Sequence, residues 1–92
     1  MTRPENLEVN RQVREIRRRL IQSGWKVRTL RPVHTVSRYL MATRKNRQIK
    51  VRVSDHPPAD RHCRRFMFEV RPGAMTVEQC LQAIESPHQD TE

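Results

Sequence analysis

The sequence has little of several residue types on which many enzymes and exported proteins depend. It contains two cysteines, Cys63 and Cys80, two glycines and only four aromatic residues. Two well-separated cysteines make neither a disulfide framework nor a Cys-x-x-Cys metal site, so we expect both to be reduced and semi-buried in a cytoplasmic protein. No metal site and no cofactor is predicted.

Long apolar runs are also missing. No stretch approaches the roughly 20 apolar residues needed to cross a bilayer, and the polar start MTRPENLEVN lacks the apolar segment of a signal peptide. We therefore expect no membrane partner.

A length of 92 residues suits one domain, predicted over residues 1–85, with a disordered acidic tail at 86–92. A domain of this size cannot enclose a large pocket and keep a core, which counts against a cofactor enzyme.

What the sequence has in excess is arginine. Nineteen Lys and Arg stand against ten Asp and Glu, and sixteen of the nineteen are arginine. All nineteen lie in residues 1–73 together with six of the acids, which gives that stretch a net charge of +13, whereas residues 74–92 carry four acids and no Lys or Arg. A field of this sign attracts polyanions, and the guanidinium fork binds phosphate bidentately.

Hydrophobic periodicity predicts a helix at each end of the chain. Apolar residues recur at helical spacing over residues 5–22, and Gly24 follows as a C-terminal cap. Near the other end, Thr76 and Gln79 have the form of a capping box, which starts a short helix with Val77, Cys80, Leu81 and Ile84 facing inward.

Between the helices the period changes to two, which predicts strands at residues 25–29, 37–43, 49–54 and 64–71. The polar stretch 44–47 predicts a tight turn, in which Asn46 can accept a left-handed backbone conformation. Short polar connections favour hairpins. The predicted fold class is thus α+β: a helix, a three- to four-stranded antiparallel sheet and a helix, with both helices on one sheet face. An exposed edge strand leaves a homodimer open.

Basic residues alternate with the apolar face along the predicted strands and should form a cationic sheet surface, which the turn at 44–47 extends. The pattern does not decide whether Arg38 or Tyr39 faces out. The predicted binding residues for nucleic acid or an acidic partner are Lys26, Arg28, Arg38, Arg44, Lys45, Arg47, Lys50, Arg52 and Arg65. The first helix offers a second basic surface, which Glu8 and Glu15 partly neutralise.

Catalytic signals are sparse. His34 and His56 are the candidates, and Asp55 precedes His56 directly. Adjacent residues on an extended segment point apart, so we do not expect Asp55 and His56 to form a relay. A histidine at a strand end before two prolines is more typical of a loop cap.

Three segments, LIQSGWKVR, SRYL and IKVRVSDHPP, resemble the HicA-like family of small toxins, over roughly residues 13–58. The family shows a helix ending in Gly-Trp, a serine-led strand and a strand closing on a His-Pro pair. The resemblance implies a fold like that of double-stranded-RNA-binding domains and an RNA partner. The family's catalytic histidine follows the serine, and this chain has Arg38 at that position. This departure from the family speaks against ribonuclease activity.

Three functions follow as hypotheses. The first is a non-enzymatic nucleic-acid-binding protein, with RNA favoured over DNA, that contacts phosphates through the sheet face and the hairpin turn. The second is an inhibitor from a phage or mobile element that occupies an acidic or nucleic-acid-binding site on a host protein complex. The third is a HicA-like ribonuclease that uses His34 or His56.

Overall fold

The computed structural model describes residues 6–32, 35–56 and 68–85. Within these ranges the elements are α1 (Leu7–Gln22), β1 (Lys26–Leu30), β2 (Arg38–Arg44), β3 (Arg47–Val53), β4 (Phe68–Val70) and α2 (Val77–Ile84). The predicted α+β class and the order of helix, strands and helix are confirmed. Predictions for His34, Cys63, Arg65 and the tail at 86–92 lie outside the described residues.

Local sequence signals set the ends of α1. The Asn6 side chain accepts hydrogen bonds from the backbone N–H of Glu8 at 2.9 Å and of Val9 at 3.2 Å. These bonds satisfy two of the N–H groups that a helix start leaves without partners. After Ser23 the chain turns through Gly24, whose φ of 93° favours glycine. Four apolar residues of α1 are buried at helical spacing: Val9, Val13, Ile16 and Leu20.

The four strands form one sheet in the order β1-β2-β3-β4. The first two pairings are antiparallel, as predicted, but β4 lies parallel to β3, with Val51 opposite Phe68 and Val53 opposite Val70. The expectation of an entirely antiparallel sheet is therefore wrong in this one pairing. A hairpin between antiparallel strands needs only a few linking residues, but a parallel pair needs a crossover of a dozen or more. Residues 54–67, which link β3 to β4, are enough for such a crossover.

The turn between β2 and β3 has two residues, since Arg44 and Arg47 face each other across the pair. The left-handed residue is Lys45, with a φ of 55°, rather than Asn46, which can also accept this conformation. Register explains the difference, because pairing of Arg44 with Arg47 makes Lys45 the first central residue of the turn. Positive φ at that position is typical of the turns that suit the twist of a hairpin.

Both helices cover one face of the sheet, and the core lies between the two layers. Its buried strand residues include Leu40, Ile49, Val51 and Val70, and α2 adds Cys80, Leu81 and Ile84. The predicted capping box of α2 is confirmed: Thr76 Oγ1 accepts from Gln79 N at 3.1 Å, and Gln79 Oε1 accepts from Thr76 N at 3.0 Å.

The outer edges of the sheet differ. Beside β4, Met75 N donates to Glu69 O, and Arg71 N donates to Met75 O, both at 3.3 Å, so the chain itself covers that edge. Strand β1 pairs with β2 on one side.

In the part of the chain that the structure describes, neither helix has the length and apolar character to cross a membrane.

Candidate nucleic-acid interface

The sheet face opposite the helices carries three basic residues that we call the open-face cations: Lys26, Arg28 and Lys50. Lys26 and Arg28 are exposed on β1, and Lys50 is half-buried on β3. Met41 lies between them, because it pairs with Arg28 on one side and with Lys50 on the other. Neighbouring strands lie about 4.8 Å apart, so Arg28 and Lys50 bracket a strip about 10 Å wide.

Carboxylates within the described ranges are already engaged. Each accepts at least one hydrogen bond or ion pair: Glu8 from Arg11, Glu15 from Arg18 and Arg19, Asp55 from Asn6 and His56, Glu69 from Arg52 and Arg71, Glu78 from Arg19, and Glu85 from Trp25 and Arg44. The predicted partial neutralisation of α1 by Glu8 and Glu15 is thus confirmed.

Seven basic residues in the same ranges form no ion pair with any of these carboxylates. They are Arg14, Arg17, Lys26, Arg28, Arg31, Lys45 and Lys50. Most belong to α1, β1 or the open face, whereas Glu78 of α2 and Glu85, which directly follows that helix, pair with arginines. The basic excess is therefore concentrated away from α2.

Arg52 shares the open face with Lys50 but is not part of the exposed basic surface. It is 2% exposed, and its guanidinium donates to Glu69 Oε2 at 2.5 Å, to Ser37 Oγ at 3.1 Å and to the His56 carbonyl at 3.1 Å. Ser37 Oγ lies 2.9 Å from Ser54 Oγ. We call these residues, Ser37, Arg52, Ser54, His56 and Glu69, the Arg52 network. The prediction that Arg52 lies on an exposed surface is wrong. Alternation along a strand predicts which sheet face a residue lies on, but it does not predict which other side chains pack over that residue.

Arg38 lies on the helix-covered face, which settles the choice that the sequence left open. It alternates with the buried residues Leu40 and Ala42, whereas Tyr39 is half-buried on the open face. Arg38 is 3% exposed, and its Nη1 donates to the carbonyls of Thr35 at 3.1 Å and Ser37 at 2.9 Å.

Arg44 and Arg47 also lie on the helix-covered face, at the hairpin end. Their guanidinium carbons lie 4.4 and 5.7 Å from the ring centre of Trp25, which is buried. Arg44 bonds Glu85, and Arg47 donates to the Ile84 carbonyl at 2.6 Å. We call these four side chains, Trp25, Arg44, Arg47 and Glu85, the Trp25 cluster. Of the predicted turn cations, Lys45 remains exposed at the tip.

Two titratable groups respond to this packing. Burial alone would raise the pKa of Glu85, but hydrogen bonds from Trp25 and Arg44 hold that pKa below its usual value. Burial raises the pKa of Cys80 to about 12, so its thiol is not a nucleophile at neutral pH. Its placement as a small buried residue agrees with the prediction, and Cys63 lies outside the described residues.

Asp55 and His56 are in contact, contrary to expectation. His56 Nδ1 lies 2.7 Å from Asp55 Oδ1 and 3.0 Å from Ser54 Oγ. The chain bends at these residues instead of remaining extended, which brings the two side chains together. Hydrogen bonds from His56 and then from Asn6 lower the pKa of Asp55. His56 Nε2 lies 3.4 Å from Nη2 of Arg52, so the imidazole is held between an anion and a cation.

Sequence reasoning missed Arg31, Ser37 and Ser54. Arg31 follows β1 directly and precedes a proline, so no strand or helix period includes it. The two serines are buried polar residues at strand ends, 1% exposed each, and only their hydrogen bonds to one another and to Arg52 reveal their role. In residues 6–32, 35–56 and 68–85, no group of three or more His, Cys, Asp or Glu is placed to hold a metal ion.

Comparisons with known proteins add no relative to this description: no family model, no curated protein and no solved structure matches the chain. The fold and the surface therefore define its class, a small basic α+β protein with an open cationic sheet face.

Proposed function

We propose that this protein binds nucleic acid through the phosphate backbone, using the open-face cations and Lys45 at the hairpin tip. One observation carries the proposal: the described carboxylates are engaged elsewhere, which leaves these basic groups with no counterion among the residues that the structure describes. A phosphate backbone supplies such counterions in a regular row, and neutralising it releases condensed salt ions. A cytoplasmic location, where such a partner is available, belongs to the same proposal.

The composition of the open face favours phosphate contacts over base reading. Tyr39 is the aromatic residue on this face among the described strands, and Trp25 is buried in the Trp25 cluster. Platforms that stack bases use several aromatic side chains in succession. Contacts to phosphates position a protein without carrying sequence information, so binding with little sequence preference is expected. The resemblance described above favours RNA over DNA.

A pair of charge-matched variants tests the proposal. K26Q/R28Q removes two open-face cations, and R11Q/R18Q removes two exposed arginines that are paired with Glu8 and Glu15. Binding to duplex RNA, duplex DNA and single strands is measured by fluorescence anisotropy over a salt series. Four phosphate contacts, one for each open-face cation and one for Lys45, give a log–log salt slope of about −3.6 on duplex DNA.

We expect K26Q/R28Q to reduce the slope by about 2 and R11Q/R18Q to leave it nearly unchanged. Equal losses in the two variants would show that net charge alone governs binding. Absence of binding at about 50 mM salt would overturn the proposal. In that case, co-purification with one host protein after nuclease treatment would identify the inhibitor function instead, because a carboxylate-rich protein surface presents a similar field.

The contact between Asp55 and His56 is the observation that keeps ribonuclease activity as a second candidate. A carboxylate at Nδ1 orients an imidazole for general acid–base chemistry. Against this role, the other nitrogen faces Arg52, and Ser54 shares Nδ1 with the carboxylate. RNA cleavage by the wild type that H56A abolishes would establish the activity, and RNA recovered intact after incubation with wild-type protein would exclude it.

A further inference from the structure

A second basic site lies between α1 and the sheet, on the helix-covered side. A cavity of about 220 Å³ opens there, lined by Asn10, Val13, Arg14, Arg31 and Arg38. Three arginines thus line one small space from three different parts of the fold: α1, the segment after β1, and the start of β2. We call it the arginine cavity.

Among the described residues, no carboxylate belongs to this lining. Arg14 and Arg31 are exposed at the rim and form no ion pair with the described carboxylates. Arg38 forms the inner wall, where its bonds to the carbonyls of Thr35 and Ser37 hold the guanidinium in place. Like charges so close together repel, and this repulsion falls when an anion enters between them.

We propose that the arginine cavity binds a phosphate group. Guanidinium donors come in planar pairs that match two oxygens of a phosphate, and the exposed Arg14 and Arg31 reach the cavity from two different elements. Asn10 adds an amide that can donate to a further oxygen. The volume is several times the roughly 30 Å³ share of one water molecule, so a phosphate fits.

The natural source of that phosphate is the nucleic acid of the proposed function, and to this extent the inference rests on that function. The group is either an internal phosphodiester or a terminal phosphomonoester. Both present the same oxyanion to the cavity. Binding of inorganic phosphate, however, depends on the cavity alone.

Inorganic phosphate is therefore the first probe. Amide and arginine Nε–H resonances are followed by NMR during titration with phosphate, against chloride at the same ionic strength. We expect saturable shifts at Val13, Arg14 and Arg31 with phosphate and none with chloride. Linear shifts, or equal shifts with the two anions, would overturn the proposal.

Variants on the rim give the second test. R14Q and R31Q change exposed residues without described ion pairs, so the fold should be retained, and each should weaken phosphate binding about tenfold. The matched control is R17Q, which removes the same charge from the same helix but does not line the cavity. We expect less than a twofold change for R17Q, and a loss equal to that of R14Q would show long-range attraction in place of a site.

Oligonucleotides of one sequence with a 5′-phosphate or a 5′-hydroxyl identify the source. Tighter binding of the phosphorylated form that R31Q abolishes assigns the cavity to a terminal phosphate, and equal weakening of both by R31Q assigns it to an internal one. If R31Q weakens neither, the cavity does not serve nucleic acid. Saturable binding of inorganic phosphate without any oligonucleotide binding would support the phosphate site in the cavity and reject the proposed function. Oligonucleotide binding that K26Q/R28Q weakens, together with no saturable binding of inorganic phosphate, would support the proposed function and reject the phosphate site.

Discussion

Lys50 and Arg52 lie two residues apart on the same strand and the same face, yet their surroundings differ completely. Lys50 is half-buried beside Met41 and forms no ion pair with the described carboxylates. Arg52 is 2% exposed and donates to Glu69, Ser37 and the His56 carbonyl. The cause is the neighbouring strand, since the parallel pairing of β3 with β4 places Glu69 opposite Arg52.

The comparison extends to the whole molecule. Basic residues near β4 and α2 meet carboxylates and become part of the fold, as in the Arg52 network and the Trp25 cluster. Those on β1 and the central open face meet no carboxylate of residues 6–32, 35–56 and 68–85. Charge of one sign is thus built into the fold in one region and left without a described carboxylate partner in the other, and the position of a few acids decides which.

The largest effect should come from breaking the Arg52 network. Arg52→Ala removes the donor that the Glu69 carboxylate and the buried Ser37 hydroxyl share, so we expect a loss of about 3–5 kcal/mol in the free energy of unfolding. Lys50→Ala, two residues away, should change it by less than about 0.5 kcal/mol. Urea denaturation followed by circular dichroism measures both, and similar losses would remove the distinction between the two residues.

An intermediate effect is expected in the Trp25 cluster. Glu85→Gln weakens the bonds to Trp25 and Arg44, and because these groups are partly exposed, solvent screening limits the loss to about 1 kcal/mol. The folded-state pKa of Glu85 is lowered, so its contribution is present above the unfolded value near 4.5 and is lost as pH falls through the folded pKa.

The difference in unfolding free energy between wild type and E85Q should therefore shrink to zero on acidification. Urea unfolding monitored through the fluorescence of Trp25, the single tryptophan, measures it at a series of pH values. A difference that stays constant from neutral pH to pH 3 would show that the Glu85 carboxylate does not stabilise the cluster.

The smallest effect concerns the open-face cations, whose mutual repulsion opposes folding slightly. Raising ionic strength from 0.01 to 0.15 M shortens the screening length from about 30 to 8 Å, so the unfolding free energy of the wild type should rise by about 0.5 kcal/mol or less. The unfolding free energy of K26Q/R28Q should rise by less, as measured by thermal unfolding at each salt concentration. A larger gain in the variant would mean that these cations do have internal partners.

Local signals predicted the elements well, because they depend on residues close in sequence. The apolar period of α1, Gly24 after it, and the capping box of Thr76 and Gln79 each act within one or two helical turns. The parallel placement of β4 and the left-handed Lys45 were not predictable in this way. Both depend on strand register, which is fixed between segments and not within one.

Of the predicted interface, Lys26, Arg28, Lys45 and Lys50 are open to a partner to differing degrees, whereas Arg38, Arg44, Arg47 and Arg52 are packed into the fold. The sequence by itself determined the fold class, the helices and the surplus of positive charge, since composition and periodicity are properties of the chain. Only the tertiary structure decided which cations meet a carboxylate and which converge on the arginine cavity. That outcome depends on distances of a few ångströms between residues far apart in sequence, and electrostatic interaction falls steeply beyond them.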